Sequence, residues 1–463
     1  MTADFDVFII GAGQAGPTLA HDLAKAGRKV AVAERKHLGG SCVNFGCTPT
    51  KAVVASARVA HVARRAAEYG IGVGAVTVDF KAVLERARRI VAESVEHLQQ
   101  GFTGDDAPTL LRGHARLAGR DGETFRIEID RKVVRAKTVV LNTGTRSLVP
   151  PIEGLDTIDF IDADHWLDKD HERLPGDLLI VGGSYVGLEM AQFYRRMGAQ
   201  VTVVESSKQI MSHEDEDVAR AMREMLEAED IRFVLERRAV RFAPTGQGVR
   251  TTLEGEESKG GNENLDSSHV FIALGRKPNT DDLGLDTVGV KVNDKGIVQV
   301  DERLATSTEG IWVAGDIRGG PMFTHTSWDD YRVLRSQLLG DGTRTTAGRI
   351  VPYAVFTDPE LGRVGMTESE ARKAGKKVKI GHFEMKNNGK ARELGETRGF
   401  VKVVVDAGSG RILGAAVFAL EGAELVHLFV DLMNADAPFG VMRDAIHIHP
   451  TLAEGLQSAV TDL

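Results

Sequence analysis

Residues 39–51 read Gly39-Gly40-Ser41-Cys42-Val43-Asn44-Phe45-Gly46-Cys47-Thr48-Pro49-Thr50-Lys51, and they hold both cysteines of a 463-residue chain, five positions apart. A regular α-helix rises about 1.5 Å per residue, so five residues would span about 7.5 Å. A disulfide wants Cα atoms closer than about 7 Å, so an uninterrupted helix could not close one here. The stretch contains its own break. Gly46 opens backbone angles that other residues avoid, and Pro49 is tolerated in the first turn of a helix but no deeper. A helix starting near Thr48 is therefore expected, with Cys42 folded back over its start. Cys47 then sits at or beside a helix N-terminus, where partial positive charge favours thiolate over thiol. Lys51, four residues on along the same helical face, pushes the same way. Cysteines are more commonly plain buried thiols, but a pair held in one Gly- and Pro-shaped turn reads as redox-active.

The stretch resembles the redox signature of the pyridine nucleotide-disulfide oxidoreductases. That flavoprotein family includes dihydrolipoamide dehydrogenase, glutathione reductase and mercuric reductase, and the pattern is long and specific.

The chain length implies two to four domains. Hydrophobic residues make up 42% and charged residues 27%, ordinary values for a globular protein with a real core. The net charge is -8, from 58 basic and 66 acidic residues with no long basic run. Nucleic acid and anionic membrane are therefore disfavoured as partners, and no apolar run approaches the roughly 20 residues of a membrane span. Asp4 and Asp6 lead straight into a short apolar run, so no secretory signal is expected. One close cysteine pair and no other cysteine suits a reducing cytoplasm and a cycling disulfide.

Working outward, residues 5–10 form an apolar run that ends in Gly11-Ala12-Gly13-Gln14-Ala15-Gly16. A helical stretch follows, then a second strand at 29–33 ending in Glu34, 23 residues after Gly11. Gly11 and Gly13 let backbone N–H groups approach a pyrophosphate on the helix N-terminus. Gly16 permits close helix–sheet packing, and Glu34 can accept from a ribose hydroxyl. A lone GxGxxG is weak evidence; with both strands and the acid in place it is strong. Residues 52–67 are Ala-rich and read as helix ending before Gly70. Residues 79–100 read as a charged, solvated surface helix, and 112–140 alternate as strands.

The dinucleotide pattern then repeats. A strand at 178–181 leads into Gly182-Gly183-Ser184-Tyr185-Val186-Gly187, a helix at 188–197 and a strand at 201–204 ending in Glu205, again 23 residues after the first glycine. Ser184 stands where a glycine is usual and is small enough to keep the site. Glu205 would accept from an NADH ribose and repel the 2′-phosphate of NADPH; its plainer reading is an exposed strand-end acid. The polar excursion at 254–268 reads as a loop, before a strand at 269–274 that leads into Gly275. Near the C-terminus, His447-Ile448-His449-Pro450-Thr451-Leu452-Ala453-Glu454 offers a histidine suited to proton transfer. Thr451 to Glu454 also fits a capping box, which gives Glu454 a structural role.

By resemblance, the chain is an α/β protein with two Rossmann-like dinucleotide-binding domains, for FAD and NAD, and a C-terminal α+β dimerisation domain. The expected divisions are 1–150 for the first part of the FAD domain, 151–276 for the NAD domain, 277–346 for the FAD return segment and 347–463 for the interface domain. The resemblance implies FAD held by Gly11, Gly13, Gly16, Glu34, Gly40, Ser41, Thr143, Gly144 and Asp316. It implies NAD(H) held by Gly182, Ser184, Tyr185, Gly187, Glu205 and Gly275, with Tyr185 gating the nicotinamide pocket. Cys47 would be the charge-transfer thiol, Cys42 the interchange thiol, and Lys51 and Glu189 an ion pair near the flavin. His449, oriented by Glu454, would serve the cysteine pair of the second subunit of a cytoplasmic homodimer. No metal site is implied.

The substrate implied is a small disulfide, thiol or lipoyl group, as in dihydrolipoamide dehydrogenase, because the His–Glu pair and Glu205 match that branch. The chain ends without the C-terminal cysteine pair of mercuric reductases. Yet residues 323–332, Phe323-Thr324-His325-Thr326-Ser327-Trp328-Asp329-Asp330-Tyr331-Arg332, resemble a mercuric-reductase-like branch. A metal-ion or quinone reductase is therefore the alternative enzyme, and a flavin-binding redox sensor the non-enzymatic one.

Overall fold

The computed structural model describes residues 3–255 and 261–463. The first sheet has the order β3 (Thr109–Arg112), β2 (Val30–Glu34), β1 (Phe5–Ile10), β6 (Lys132–Leu141), β5 (Thr124–Ile129) and β4 (Ala115–Asp121). Its β3-β2-β1-β6 half is parallel and the rest antiparallel. The distant strand Ile311–Val313 joins β6 in parallel. Val7 and Ile9 are buried because helix α1 (Gly16–Lys25) covers that face of β1 with Leu19, Ala20 and Leu23, while Phe8 is buried on the opposite face.

A second sheet is wholly parallel, in the order Ile231–Leu235, Gln200–Glu205, Asp177–Val181, His269–Ile272 and Ile161–Asp162. The C-terminal region is a five-stranded antiparallel sheet with flanking helices. The expected fold class is the observed one: two doubly wound α/β units and an α+β unit. No helix among the described residues is long and apolar enough to cross a membrane.

The two register sets explain why the glycine turns face the same way. Ile10 pairs with Ala33 and Leu141, so Gly11, Glu34 and Asn142 emerge together at the carboxyl edge of the first sheet. Val181 pairs with Val204 and Ile272, which brings Gly182 and Glu205 together at the edge of the second. Crevices outside the carboxyl ends of parallel strands are where α/β sheets bind ligands.

Between the sheets, helix α2 (Gly40–Asn44) is followed by α3 (Cys47–Arg64), α4 (Phe80–Gln100) and α5 (Tyr185–Met197). Asp79 caps α4 by accepting from the Ala82 N–H at 3.0 Å. This helix is not solvated all round, as its charges suggest. Phe80, Leu84 and Ala87 form a buried stripe at helical spacing, and Phe80 stacks on Phe193 of α5 at 5.9 Å. One apolar cluster thus runs from α3 and α4 through α5 into the second and C-terminal sheets, fixing the cysteine-bearing helix against α5.

Three readings are corrected. Helix α5 starts at Tyr185, three residues before the expected 188, because Ser184 is extended and serves as its N-cap residue. Glu263–Ser267, within the stretch read as a loop, is a strand of a three-stranded antiparallel sheet with Arg238–Thr245 and Gly248–Glu254. Residues 256–260 of that stretch lie outside the described residues. The capping box is half made: the Glu454 carboxylate accepts from the Thr451 N–H at 2.8 Å, but the Thr451 hydroxyl donates to the Ile448 carbonyl and the helix begins at Glu454.

Candidate active site

Gly46 ends the turn with non-helical angles, φ -95° and ψ -117°, so α3 begins at Cys47 itself, one residue earlier than the expected start. Both cysteines carry free thiols, Cys42 half-buried and Cys47 exposed. They open onto a cavity of about 2010 Å³ lined by residues of both dinucleotide-binding units. The Cys42 thiol hydrogen-bonds Cys47 and lowers the Cys47 pKa to about 6; burial opposes this, and Thr324, with its oxygen 3.3 Å from the sulfur, and Lys51 add to it. The same contact, reinforced by burial, pushes the Cys42 thiol well above its ordinary range. The pair is therefore asymmetric, one thiolate and one thiol. Trp166, buried, steadies the turn between the cysteines by donating its indole N–H to the Phe45 carbonyl at 2.8 Å.

Lys51 Nζ meets Glu189 Oε2 at 2.8 Å, joining α3 to α5 at the cavity wall. Glu189 also accepts from the Phe356 N–H at 2.9 Å, and the Lys51 ammonium stands 4.4 Å from the centre of the Phe356 ring. Tyr185, Phe323 and Tyr353 line the wall beside them, with Phe323 and Tyr353 stacked at 5.6 Å. Burial raises the Tyr185 phenol above its usual range.

The residues expected to hold FAD fit a dinucleotide. Gly11, Gly13, Glu34, Gly40, Ser41, Thr143, Gly144 and Asp316 all line the cavity. Gly11 has φ +100°, and a Cβ there would sit 2.4 Å from the Asn142 carbonyl oxygen. Gly16 is turned away from the cavity, where a Cβ would come within 2.7 Å of the Gly11 carbonyl oxygen; its role is packing. Glu34 braces the glycine turn, accepting from the N–H groups of Ala12, Lys36 and His37 at 2.8–3.1 Å. Burial raises the Asp316 carboxyl, which accepts from the Thr145 hydroxyl at 3.2 Å.

The second glycine turn repeats this design. Gly182 has φ +116°, and Glu205 Oε2 accepts from the Gly183 N–H at 2.9 Å. Burial works against the Glu205 carboxylate, but the N–H groups of Ser207 and Gly183 outweigh it and hold its pKa below the ordinary range. Ser184 keeps a negative φ, so no glycine is required there. Of the residues expected to hold NAD, Tyr185 lines the large cavity, whereas Gly182, Ser184, Gly187, Glu205 and Gly275 stand at the second sheet's edge outside its lining.

His449 and Glu454 are not brought to the cysteines. His449 Nδ1 is 3.0 Å from Glu454 Oε1, and the ring is 77% exposed on the C-terminal domain, outside the cavity's lining. Glu454 is held below the usual carboxylate range first by the Thr451 N–H and then by His449. His447 is half-buried, with Nδ1 lacking a hydrogen-bond partner. Sequence reasoning assigned no role to Thr324, Trp166 or Asn142. Asn142 is buried and ties the site's segments together, accepting from the Gly16 N–H at 3.0 Å and donating to the Ala314 carbonyl at 2.9 Å. Its place at the end of β6, two residues before Gly144, was the available signal. Thr324 and Trp166 carry no local signal, since their contacts are far away in sequence.

The family model for pyridine nucleotide-disulphide oxidoreductases matches residues 5–330, and the model for that family's dimerisation domain matches 351–460. The chain belongs to this family. Its members are FAD-containing, NAD(P)H-dependent flavoprotein disulfide reductases. The protein is 32% identical to the probable pyridine nucleotide-disulfide oxidoreductase RclA of Escherichia coli, covering 98% of both chains. It is 33% identical to a dihydrolipoyl dehydrogenase of Thermus scotoductus, over 99% of this chain and 97% of that one. Among solved structures it resembles the Cu(II) complex of the HOCl-induced flavoprotein disulfide reductase RclA, with a TM-score of 0.87, 32% identity, and coverage of 97% of this chain and 98% of that one. LpdA from Mycobacterium tuberculosis shares the fold at a TM-score of 0.88 and 24% identity, over 98% and 99% of the two chains. The chain is therefore a pyridine nucleotide-disulfide oxidoreductase.

Proposed function

We propose that the protein moves electrons between NAD(H) and a small disulfide or dithiol, with Cys42 and Cys47 as the redox pair, most like dihydrolipoyl dehydrogenase. The observation that carries this reading is the placement of both cysteines at the break between α2 and α3, on the wall of the cavity that the first glycine turn also lines, with the Thr324 hydroxyl 3.3 Å from Cys47 Sγ. Gly11, Gly13, Gly40, Ser41, Glu34, Thr143, Gly144 and Asp316 would hold FAD, and Gly16 the helix packing beneath it. Bound FAD supplies two-electron transfer between the nicotinamide and the cysteine pair.

Reduction of a Cys42–Cys47 disulfide takes two electrons from reduced nicotinamide nucleotide, breaks one S–S bond and places one proton on the Cys42 sulfur. Cys47 is left as thiolate, favoured by the Thr324 hydroxyl and by the charge of Lys51. For the exchange step Cys42 gives up its proton to a base and attacks one sulfur of the substrate disulfide. The other substrate sulfur leaves and is protonated. The Cys47 thiolate then attacks Cys42, closing the pair and expelling the second substrate sulfur. A thiol pushed up like Cys42 needs a base. His449 suits that role: its Nδ1–H donates to Glu454, which leaves Nε2 to take the proton.

Within one chain His449 does not reach the cavity, so the proposal includes a homodimer in which each copy supplies His449 to the other. The match to the family's dimerisation domain supports this. So does the segment itself, where Ile446 and Ile448 stand fully or mostly exposed beside His449. The Glu205 carboxylate supports NADH over NADPH.

Reduction of a metal ion at the same dithiol is the second reading, favoured by the likeness to an RclA structure solved as a Cu(II) complex. Among the described residues no group of three or more His, Cys, Asp or Glu side chains could hold a metal ion, so the metal would be a substrate at the thiols. NADH turnover of the holoenzyme against lipoamide, oxidised glutathione and a Cu(II) salt separates the readings. Disulfide turnover lost in Cys42→Ser supports the first; turnover with Cu(II) alone replaces it with the second.

A further inference from the structure

Two long helices end on one sulfur. Cys47 is the first residue of α3, and α6 (Thr324–Leu339) begins 277 residues later with the Thr324 hydroxyl 3.3 Å from Cys47 Sγ. Each helix N-terminus carries about half a positive charge, which falls off within the first turn. Neither start is capped by a side chain: Gly46 has none to offer, and Phe323 has no polar group. Thr324 is the polar side chain that α6 contributes to the redox pair. Its hydroxyl is 3.3 Å from the Cys47 sulfur and also acts on the Cys42 thiol, pulling its pKa down against the larger effects that raise it.

We propose that Thr324 is a further catalytic residue, donating its hydroxyl hydrogen to the Cys47 sulfur and holding it as the thiolate of the reduced pair. The assignment rests on the dithiol reading of Cys42 and Cys47. The direction follows from chemistry. A thiolate has no proton to give, so the hydroxyl donates, and a hydrogen bond to a charged acceptor is worth more than one between neutral groups. The other groups that face Cys47 are the Cys42 thiol on α2, Lys51 on its own helix, and Glu189 and Tyr185 on α5. Cys42 and Lys51 favour the thiolate, while Glu189 opposes it. Thr324 thus strengthens the favourable side without adding a titratable charge. A tenfold change in the ionisation of Cys47 moves the two-electron equilibrium of the pair by about 30 mV. Thr324 therefore makes the pair easier to reduce.

The test uses the holoenzyme in a Cys42→Ser background, where Cys47 is the one thiol left. Iodoacetamide alkylation is followed across pH, with thiol loss as the readout and no turnover required. Thr324→Val should raise the pH of half-maximal rate by about one unit and slow alkylation roughly tenfold at a pH one unit or more below the starting midpoint. Thr324→Ser, which keeps the hydroxyl, should restore the profile, and Thr324→Ala gives a second donor-less variant should valine fail to fold. An unchanged profile in Thr324→Val and Thr324→Ala overturns the proposal, as does an equal shift in Thr324→Ser, which would mean the methyl group or shape matters instead. Should Cys47 titrate as an ordinary thiol near pH 8.5 in the reduced wild-type holoenzyme, with Cys42 and Thr324 both intact, the thiolate reading of the pair falls and takes this assignment with it.

Discussion

Lys51 and Glu189 lie 2.8 Å apart across the join between the cysteine-bearing helix and the helix of the second dinucleotide unit. The Glu189 carboxylate is 3% exposed and the Lys51 side chain 33% exposed, so the pair is buried on one side and wet on the other. Lys51→Met would leave a buried carboxylate with the Phe356 N–H as its remaining donor. With the screening that solvent gives Lys51, the expected loss of stability is roughly 1–3 kcal/mol, read by denaturant unfolding of the holoenzyme. The two members pull Cys47 in opposite senses. Lys51→Met should move Cys47 ionisation to higher pH and Glu189→Gln to lower pH, and shifts of the same sign would refute the electrostatic account.

Cys47, lowered to about 6, should stay a thiolate through neutrality. A thiol with a depressed pKa loses reactivity only as pH falls through that value. Alkylation of the reduced protein should therefore be nearly flat above pH 7 and fall about tenfold for each unit below pH 6. A long-wavelength absorption band of the two-electron-reduced holoenzyme should follow the same profile and be lost in Cys47→Ser.

Glu205 already receives two backbone N–H groups, yet its carboxylate stands at the end of the strand where a nucleotide ribose lies in this fold. The holoenzyme should prefer NADH to NADPH in kcat/KM. Glu205→Gln should narrow that preference, since the repulsion of a 2′-phosphate is removed while the turn keeps its hydrogen-bond acceptor. A wild-type preference for NADPH contradicts the assignment.

His449→Gln should cut disulfide turnover by about 10²–10⁴-fold, the usual worth of a general base, with reduction by NADH nearly intact. A mixed dimer of His449→Gln and Cys42→Ser copies carries one complete site and should recover activity up to half that of the wild type. No recovery on mixing would contradict a site shared between copies.

Much of this was legible because dinucleotide turns are local. Gly11 to Gly16 with Glu34, and Gly182 to Gly187 with Glu205, each need one strand–turn–helix–strand passage, and hydrophobic periodicity places those elements. The redox turn is equally local, and Gly46 stops the helix one residue before Cys47. The readings that needed revision involve competition at a distance. Charges along 80–100 hid a buried stripe because Phe80, Leu84 and Ala87 are outnumbered by polar residues until α5 packs on them. The polar segment Glu263–Ser267 became a strand because Gly248–Glu254 supplies the hydrogen bonds that its composition does not demand.

The sequence by itself determined two dinucleotide units, the cysteine pair with its thiolate at a helix start, and the histidine and glutamate available for proton transfer. These follow from backbone preferences and short-range spacing, which act within about one supersecondary unit. The tertiary structure decided which groups meet. Thr324 comes to Cys47 from 277 residues away, Glu189 to Lys51 from 138, and Trp166 to Phe45 from 121. It also decided that His449 and Glu454 pair with each other yet remain outside their own chain's cavity. No local rule specifies such contacts, because they depend on how the packed sheets and helices are set against one another, and that setting is fixed by the shared apolar core.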